Sequence, residues 1–402
     1  MARPTMLVIA PFAPLPDSGG GIAIYGDLQE LTRRGIDVDV ICYRSQRTSE
    51  ELTRLETVCR RLVVVDGPPA WSPQVMFSSV MKRSPLVVAR HFSSLMHITI
   101  QHQLATENYN VILTEFSFMF QFLFSYSRLS PRPVLAVDHH VVTPKVYEYF
   151  SEVERNPALA LLRRIETPRL KHYLKRVLLA GDRHLFLGME DLEYIKTHID
   201  DSLDEEKLCY RPTGLLLDRY PLAEPDEEEP HTIGFFGAFD WEANVDAVSY
   251  FVKTIWPRLR QKCPTARFVI AGRSAPGNIR ALGTYPGVEF IGAVDDMFAV
   301  VKRLAVVVVP LRIGAGTRLK ILEAMAWGKP IVTTSVGVEG VEHQNGEDVL
   351  VADEPEAFAD AVIALLNNPD RRRQLGLAGR RRVEQVYSAQ SSVNRLIQAI
   401  GF

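Results

Sequence analysis

The chain has 402 residues, 47% of them hydrophobic and 23% charged, which supplies a large core and suits two or three domains. A formal net charge of −2 and a pI near 6.6 give no basic footprint, so no nucleic-acid partner is expected. Cys42, Cys59, Cys209 and Cys263 lie far apart, with no CxxC or Cys/His spacing, which argues against zinc or a disulfide framework and fits a reducing cytoplasm.

In chain order, the apolar run 6–10 is short and followed by Pro11 and Pro14, so it reads as a first strand rather than a signal segment. Gly19, Gly20 and Gly21 read as a loop, 22–34 as a helix stopped by Gly35, and 38–42 as the next strand, which makes a βαβ unit. Runs 62–65, 111–114, 134–137 and 184–187 continue the strands, separated by segments suited to crossover helices. Phe116, Phe118, Phe120, Phe122 and Phe124 alternate like a strand where a crossover helix belongs; their conformation stays open and a core role is expected. Segment 161–179 carries Arg163, Arg164, Arg169, Lys171, Lys175 and Arg176 among leucines, a cationic face that is either solvated or rests on an anionic membrane. Pro168 is predicted to interrupt any single helix there. The longest apolar stretches, 116–124 and 304–311, fall well short of the roughly 20 residues that cross a bilayer.

Turn residues Pro212 and Gly214 and the acidic run 226–229 mark a hinge. The alternation then restarts with strands 233–236, 268–271, 288–291, 306–309 and 331–334 and a helix over 244–261. Asp295 and Asp296 precede the apolar run 297–301 and read as a helix cap rather than metal ligands. The expected class is α/β, with a Rossmann-like domain over 1–212, a linker over 213–230, a second Rossmann-like domain over 231–385, and a helix over 386–402 packing back toward the first. Ligands of such sheets bind beyond the carboxyl ends of the strands, and two sheets facing one another would enclose a cleft.

The most informative stretch follows strand 306–309. Gly314 and Gly316, with Ala315 and Thr317 between and after them, let the backbone approach a ligand, and the amides of the helix that opens here suit phosphate. Arg318 and Lys320 are placed in the first turn, where the helix dipole disfavours cations, so an anion is expected to compensate them. Glu323 lies one turn further in, on the Lys320 flank, where it could accept from sugar or ribose hydroxyls.

These residues resemble the GT-B glycosyltransferases, specifically the large retaining family 4. The resemblance rests on Gly19 to Gly21, Thr213-Gly214 with Asp218, the stretch 314–326, the run 322–332 (Leu-Glu-Ala-Met-Ala-Trp-Gly-Lys-Pro-Ile-Val), and Gly337-Val338-Glu339-Gly340. Two positions depart from the family. Ala315 stands where the first Glu of its Glu-x(7)-Glu motif is usual, and the loop Gly237-Ala238-Phe239-Asp240-Trp241 lacks its usual Arg and Lys. A branch with a Gly-x-Gly-Thr-Arg-x-Lys motif and an Asp-Trp loop resembles this chain at both.

The resemblance implies two Rossmann-like domains and metal-independent transfer of a sugar, of hexosyltransferase type, from a nucleotide-diphosphate sugar to a carbohydrate or lipid-linked hydroxyl acceptor in polysaccharide or glycolipid assembly. No cofactor is expected beyond the donor, and the location is cytoplasmic, with 161–179 as the segment for any peripheral membrane contact. Breaking a glycosyl–phosphate bond builds negative charge on the leaving diphosphate, which Arg318, Lys320 and the 314–317 amides would stabilise. The resemblance places a histidine after strand 134–137 against the donor; His139 and His140 both stand there, with His140 preferred. Gly19 to Gly21 would close over the donor, Gly237 would line it, and Glu339 would hold its hydroxyls. Two other classes compete: a nucleotide-sugar epimerase, which needs an acid and a base at the sugar, and a non-catalytic subunit that binds a partner, suggested by Ala315.

Overall fold

Strands of four or five apolar residues with no polar alternation must be covered on both faces, which a parallel sheet flanked by helices provides. The computed structural model describes residues 3–16, 19–44, 47–68, 75, 79, 84–154, 156–314 and 318–402. They form two units: Met1–Leu215 with Ala389–Phe402, and Leu216–Ser388.

The first unit holds β1 (Thr5–Ala10), β2 (Asp37–Tyr43), β3 (Arg61–Val65), β4 (Val111–Glu115), β5 (Val134–His139), β6 (Arg183–Phe186) and β7 (Leu208–Tyr210) in one sheet, ordered β3-β2-β1-β4-β5-β6-β7. All its pairings are parallel. Alternate residues of β1 enter different cores. Met6, Val8 and Ala10 pack with Leu28, Leu31, Val393 and Leu396, whereas Leu7 and Ile9 pack with Met96, Ile100, Phe120 and Tyr173. The helix Ala389–Ile400 thus belongs to the first core.

The second unit holds β8 (Thr232–Phe236), β9 (Arg267–Ala271), β10 (Val288–Gly292), β11 (Val306–Val309), β12 (Ile331–Thr333) and β13 (Leu350–Val351), ordered β10-β9-β8-β11-β12-β13 and again parallel. In each sheet the direction of travel reverses once, between β1 and β4 and between β8 and β11. Open α/β sheets bind ligands at such switch points, beyond the carboxyl ends of the strands.

Several local expectations are corrected. Gly19, Gly20 and Gly21 are not a loop but the first turn of the helix Gly19–Arg33. A Cβ on Gly20 would lie 3.1 Å from the Phe12 ring, so the missing side chain lets that ring pack against the turn. Pro168 does not interrupt its helix, which runs Pro157–Ala180. The Arg164 carbonyl that Pro168 leaves without an amide lies on an exposed stretch, while buried Leu170, Tyr173, Leu174 and Val177 hold the next turns. The aromatic run is neither strand nor α-helix. It is a 3-10 turn, Ser117–Phe122, entered through Phe116 at φ 70°, with Phe120 and Phe122 in the core. The helix expected over 244–261 is Glu242–Tyr250 and Trp256–Lys262 joined by a π turn, Phe251–Ile255, just before Pro257, whose missing amide the wider turn accommodates. Short strands β7 and β13 carried too few residues to signal themselves.

Candidate functional site

Both clusters of candidate residues lie at the two switch points. In the second unit, β8 ends at Phe236 and the chain turns through Gly237 at φ 155° into the helix Glu242–Tyr250. β11 ends at Val309 and leads through Gly314, at φ 141°, to Arg318 and the helix Leu319–Ala326. Ala315, Gly316 and Thr317 lie outside the described residues.

Lys320 is half-buried, and its ammonium donates to Asn244 Oδ1 and sits 4.0 Å from the centroid of the buried Phe235 ring. Asn244 Nδ2 in turn donates to the Ala238 carbonyl at 2.6 Å, which fixes the amide so that its oxygen faces the lysine. A Cβ on Gly237 would lie 3.0 Å from Lys320 Nζ, so glycine is what lets the ammonium approach this turn. Among the described residues no carboxylate forms an ion pair with Lys320. Burial, reinforced by the Arg318 charge and only partly offset by Glu323, lowers its pKa to about 7.

Arg318 stands immediately before the helix rather than in its first turn, and is 7% exposed. Its Nε and Nη2 donate to the Val336 carbonyl, each at 3.3 Å, and Nη2 lies 3.5 Å from Glu339 Oε2. Glu339, partly exposed, therefore holds the guanidinium. Glu323 accepts a 3.2 Å hydrogen bond from the Tyr220 hydroxyl, and burial raises its pKa to about 7 against that bond and the Lys320 charge. A cation, a guanidinium and a carboxylate thus converge at one end of the sheet, with the first-turn amides of Leu319–Ala326 beside them.

In the first unit, Gly19, Gly20 and Gly21 open a helix beside Phe12, which follows β1, and Phe116, which follows β4. His139 and His140 separate. His139 is fully buried, stacked on Phe186 at 4.5 Å, with Nε2 3.1 Å from His184 Nδ1. His184 Nε2 faces the Leu178 carbonyl, so it carries the proton there, and His139 Nε2–H donates to its Nδ1. His139 Nδ1 is left sealed and unpartnered, and burial keeps the ring's pKa well below the ordinary value. His139 is therefore a neutral core histidine, which removes it from the groups able to touch a ligand. His140 instead stacks on Phe116 at 4.6 Å, with Nε2 2.6 Å from Glu115 Oε2.

Ligand atoms of Glu115, Asp138 and His140 fall within 4.8 Å of one another. Each already has a protein partner: Arg211 pairs with Asp138, and His140 with Glu115. Asp296 accepts from the Phe298 amide at 2.9 Å and caps the helix Met297–Val301.

Sequence reasoning missed Asn244, Tyr220, Glu115, Asp138 and Arg211. The two acidic ones carried a readable signal, a carboxylate in the last two positions of a mostly apolar parallel strand. In 161–179 most of the basic groups are engaged internally: Arg163 with Glu154, Arg169 with Glu166, Lys171 with Glu148, Lys175 with Asp200, and Arg176 over the Phe124 ring. Exposed apolar side chains dominate its first turns instead, with Leu161 at 59% and Ile165 at 56%. Among the described residues no helix is long and apolar enough to cross a membrane.

Residues 230–368 match the family described as Glycosyl transferases group 1. An uncharacterised 44.6 kDa protein in the cps region of Klebsiella pneumoniae is 22% identical over 378 residues, spanning 90% of this chain and 91% of that one. Sucrose-phosphate synthase from Thermosynechococcus elongatus superposes with a TM-score of 0.69 at 18% identity, covering 98% of both chains. The Anabaena protein HepE in complex with UDP and glucose superposes with a TM-score of 0.65 at 13% identity, covering 98% of this chain and 99% of that one. Two doubly wound parallel-sheet units with these neighbours make the fold GT-B, and the match to the glycosyl transferases group 1 family falls on residues 230–368 within it.

Proposed function

We propose that the protein is a retaining, metal-independent glycosyltransferase of family 4 that moves a sugar from a nucleoside-diphosphate sugar to a hydroxyl of a carbohydrate or lipid-linked acceptor, in glycan assembly. The observation that carries this reading is Lys320: a desolvated ammonium whose partners are a neutral amide and a ring face, at the β8/β11 switch point beside Arg318. Burying a cation without a counter-charge is costly, and an arriving diphosphate removes that cost. HepE, a structural neighbour, binds UDP and glucose, and the Klebsiella relative is described from a cps region; both fit a sugar nucleotide and a polysaccharide product.

In the reaction the bond between the anomeric carbon and the diphosphate oxygen breaks, with its electron pair passing to the diphosphate. Lys320 and Arg318 stabilise that charge. The acceptor hydroxyl oxygen forms the new bond on the same face of the sugar and gives its proton to the leaving phosphate. Glu323 and Glu339 serve the donor's hydroxyls, and His140 donates to a sugar or phosphate oxygen. The exposed turns of segment 161–179, within the helix Pro157–Ala180, rest on a membrane surface when the acceptor is lipid-linked. The test is thermal stabilisation by UDP, GDP, ADP and CMP and their sugar conjugates, because a ligand of the native state raises stability by mass action. A shift selective for one base family supports the reading; none with any of them overturns it.

A further inference from the structure

The first unit holds a group of ionisable side chains that phosphate binding in the second does not explain. Glu115 closes β4, Asp138 and His140 stand at the end of β5, Arg211 follows β7, and Asp27 lies on the helix Gly19–Arg33. They are 1%, 0%, 7%, 2% and 3% exposed. Arg211 donates through Nη1 to Asp138 and through Nη2 to Asp27. Asp27 Oδ1, Asp138 Oδ1 and Arg211 Nε are sealed from solvent without a partner. Three buried carboxylates therefore face one guanidinium, a balance that favours protons on whatever base is nearest.

That base is His140. Two acceptors cannot share the 2.6 Å contact between its Nε2 and Glu115 Oε2, so a proton lies between them. Phe116, whose φ of 70° is unusual for a bulky residue, stacks on the imidazole and fixes its plane. The Phe116 amide donates to the Asp138 carbonyl at 2.9 Å, tying that backbone to the cluster. Nδ1 has no hydrogen bond among the described residues and is not sealed from solvent. The neighbouring histidines, His139 and His184, are held neutral by burial and add no charge.

We propose that Glu115 is a positioning residue that holds His140 as an imidazolium, committing Nε2–H to its own carboxylate and leaving Nδ1–H to donate to a phosphate oxygen or hydroxyl of the substrate. Burial alone would lower the pKa of His140; the charge of Asp138 and the bond and charge of Glu115 outweigh it and, against Arg211, hold the pKa above the ordinary value. Burial also raises the pKa of Glu115, so its carboxyl, too, holds a proton more readily than a free one does. Glu115 acts through the histidine and touches no substrate. The substrate half of this inference rests on the reading that His140 meets the donor.

The experiment is nitrogen-15 NMR of the full chain labelled at its histidines, with His140→Gln used for assignment. It compares the His140 titration in wild type, Glu115→Gln and Glu115→Asp, with and without UDP-glucose. In wild type the nitrogen shifts should report both ring nitrogens protonated at pH 7, Glu115→Gln should lower the midpoint by about one pH unit or more, and Glu115→Asp should restore part of it. A wild-type ring that is neutral at pH 7 overturns the proposal even if the variants fail to fold, and so does a midpoint unmoved in Glu115→Gln. A His140 signal indifferent to UDP-glucose while UDP-glucose still stabilises the protein overturns the substrate half alone. Normal titration with no stabilisation by any nucleotide sugar instead overturns the glycosyltransferase reading and leaves the Glu115 pairing intact.

Discussion

Replacing Lys320 by Met should stabilise the free protein while removing its response to nucleotide. The free ammonium has a pKa of 10.5, lowered here to about 7 by burial and the Arg318 charge. At about 1.4 kcal/mol per pH unit, the charged form costs the fold roughly 4–5 kcal/mol as an upper bound. Met retains the apolar stem and the contact with Phe235, but leaves Asn244 Oδ1 without its donor, which returns about 1–3 kcal/mol. A net gain on the order of 1–3 kcal/mol should remain near pH 7. Because the unfolded lysine binds a proton that the folded one sheds between about 7 and 10.5, the wild-type penalty is full below that window and disappears above it. The advantage of Lys320→Met should therefore be largest at pH 7 and below and vanish as pH approaches 10.5. Chemical denaturation at several pH values, with and without UDP, reads both effects. A variant less stable than wild type at pH 7 that still responds to UDP would refute the idea of a desolvated cation waiting for an anion.

Diphosphate binding should return Lys320 toward its ordinary pKa, so at pH 8 binding takes up close to one proton; calorimetry in buffers of different ionisation enthalpy measures this, and a buffer-independent heat contradicts it. Asn244→Ala frees the ammonium and strips the Ala238 carbonyl of its 2.6 Å donor, so kcat/KM should fall about 10-fold or more, with about 1–3 kcal/mol lost in stability. Changing Leu161 and Ile165 together to Asp should abolish sedimentation with anionic vesicles without altering UDP-induced stabilisation, whereas undiminished sedimentation removes that helix from any membrane role.

The strands were legible because parallel strands covered on both faces are apolar throughout, as in Val306–Val309, and their ends could be placed within a residue or two. The chemistry was legible where it sat in one stretch of chain: Arg318, Lys320 and Glu323 converge as their spacing implied, although Arg318 stands before the helix. Contacts made across the sheet left no local trace. Asn244 reaches Lys320 from 76 residues away and Tyr220 reaches Glu323 from 103, and nothing in either segment marks the partner. The glycine triplet misled because three glycines suggest a turn, yet the packing of Phe12 against their bare backbone settles them into a helix. His139 and His140 could not be separated by sequence because adjacent residues at a strand end face opposite sides, and only the sheet defines which side is core.

The helix Ala389–Ile400 sets an order on biosynthesis. The second unit is one uninterrupted stretch, Leu216–Ser388, and can finish folding as soon as it leaves the ribosome. The first unit cannot, because Val393, Leu396 and Ile400 complete a core begun by Met6, Val8 and Leu31, and they are translated only after the whole of its companion. For that interval a strip of apolar surface on Gly19–Arg33 stays open to water and to chaperones. Slow translation through 216–388, or truncation after Ser388, should therefore lower the yield of the amino-terminal half while sparing the half that contains Lys320.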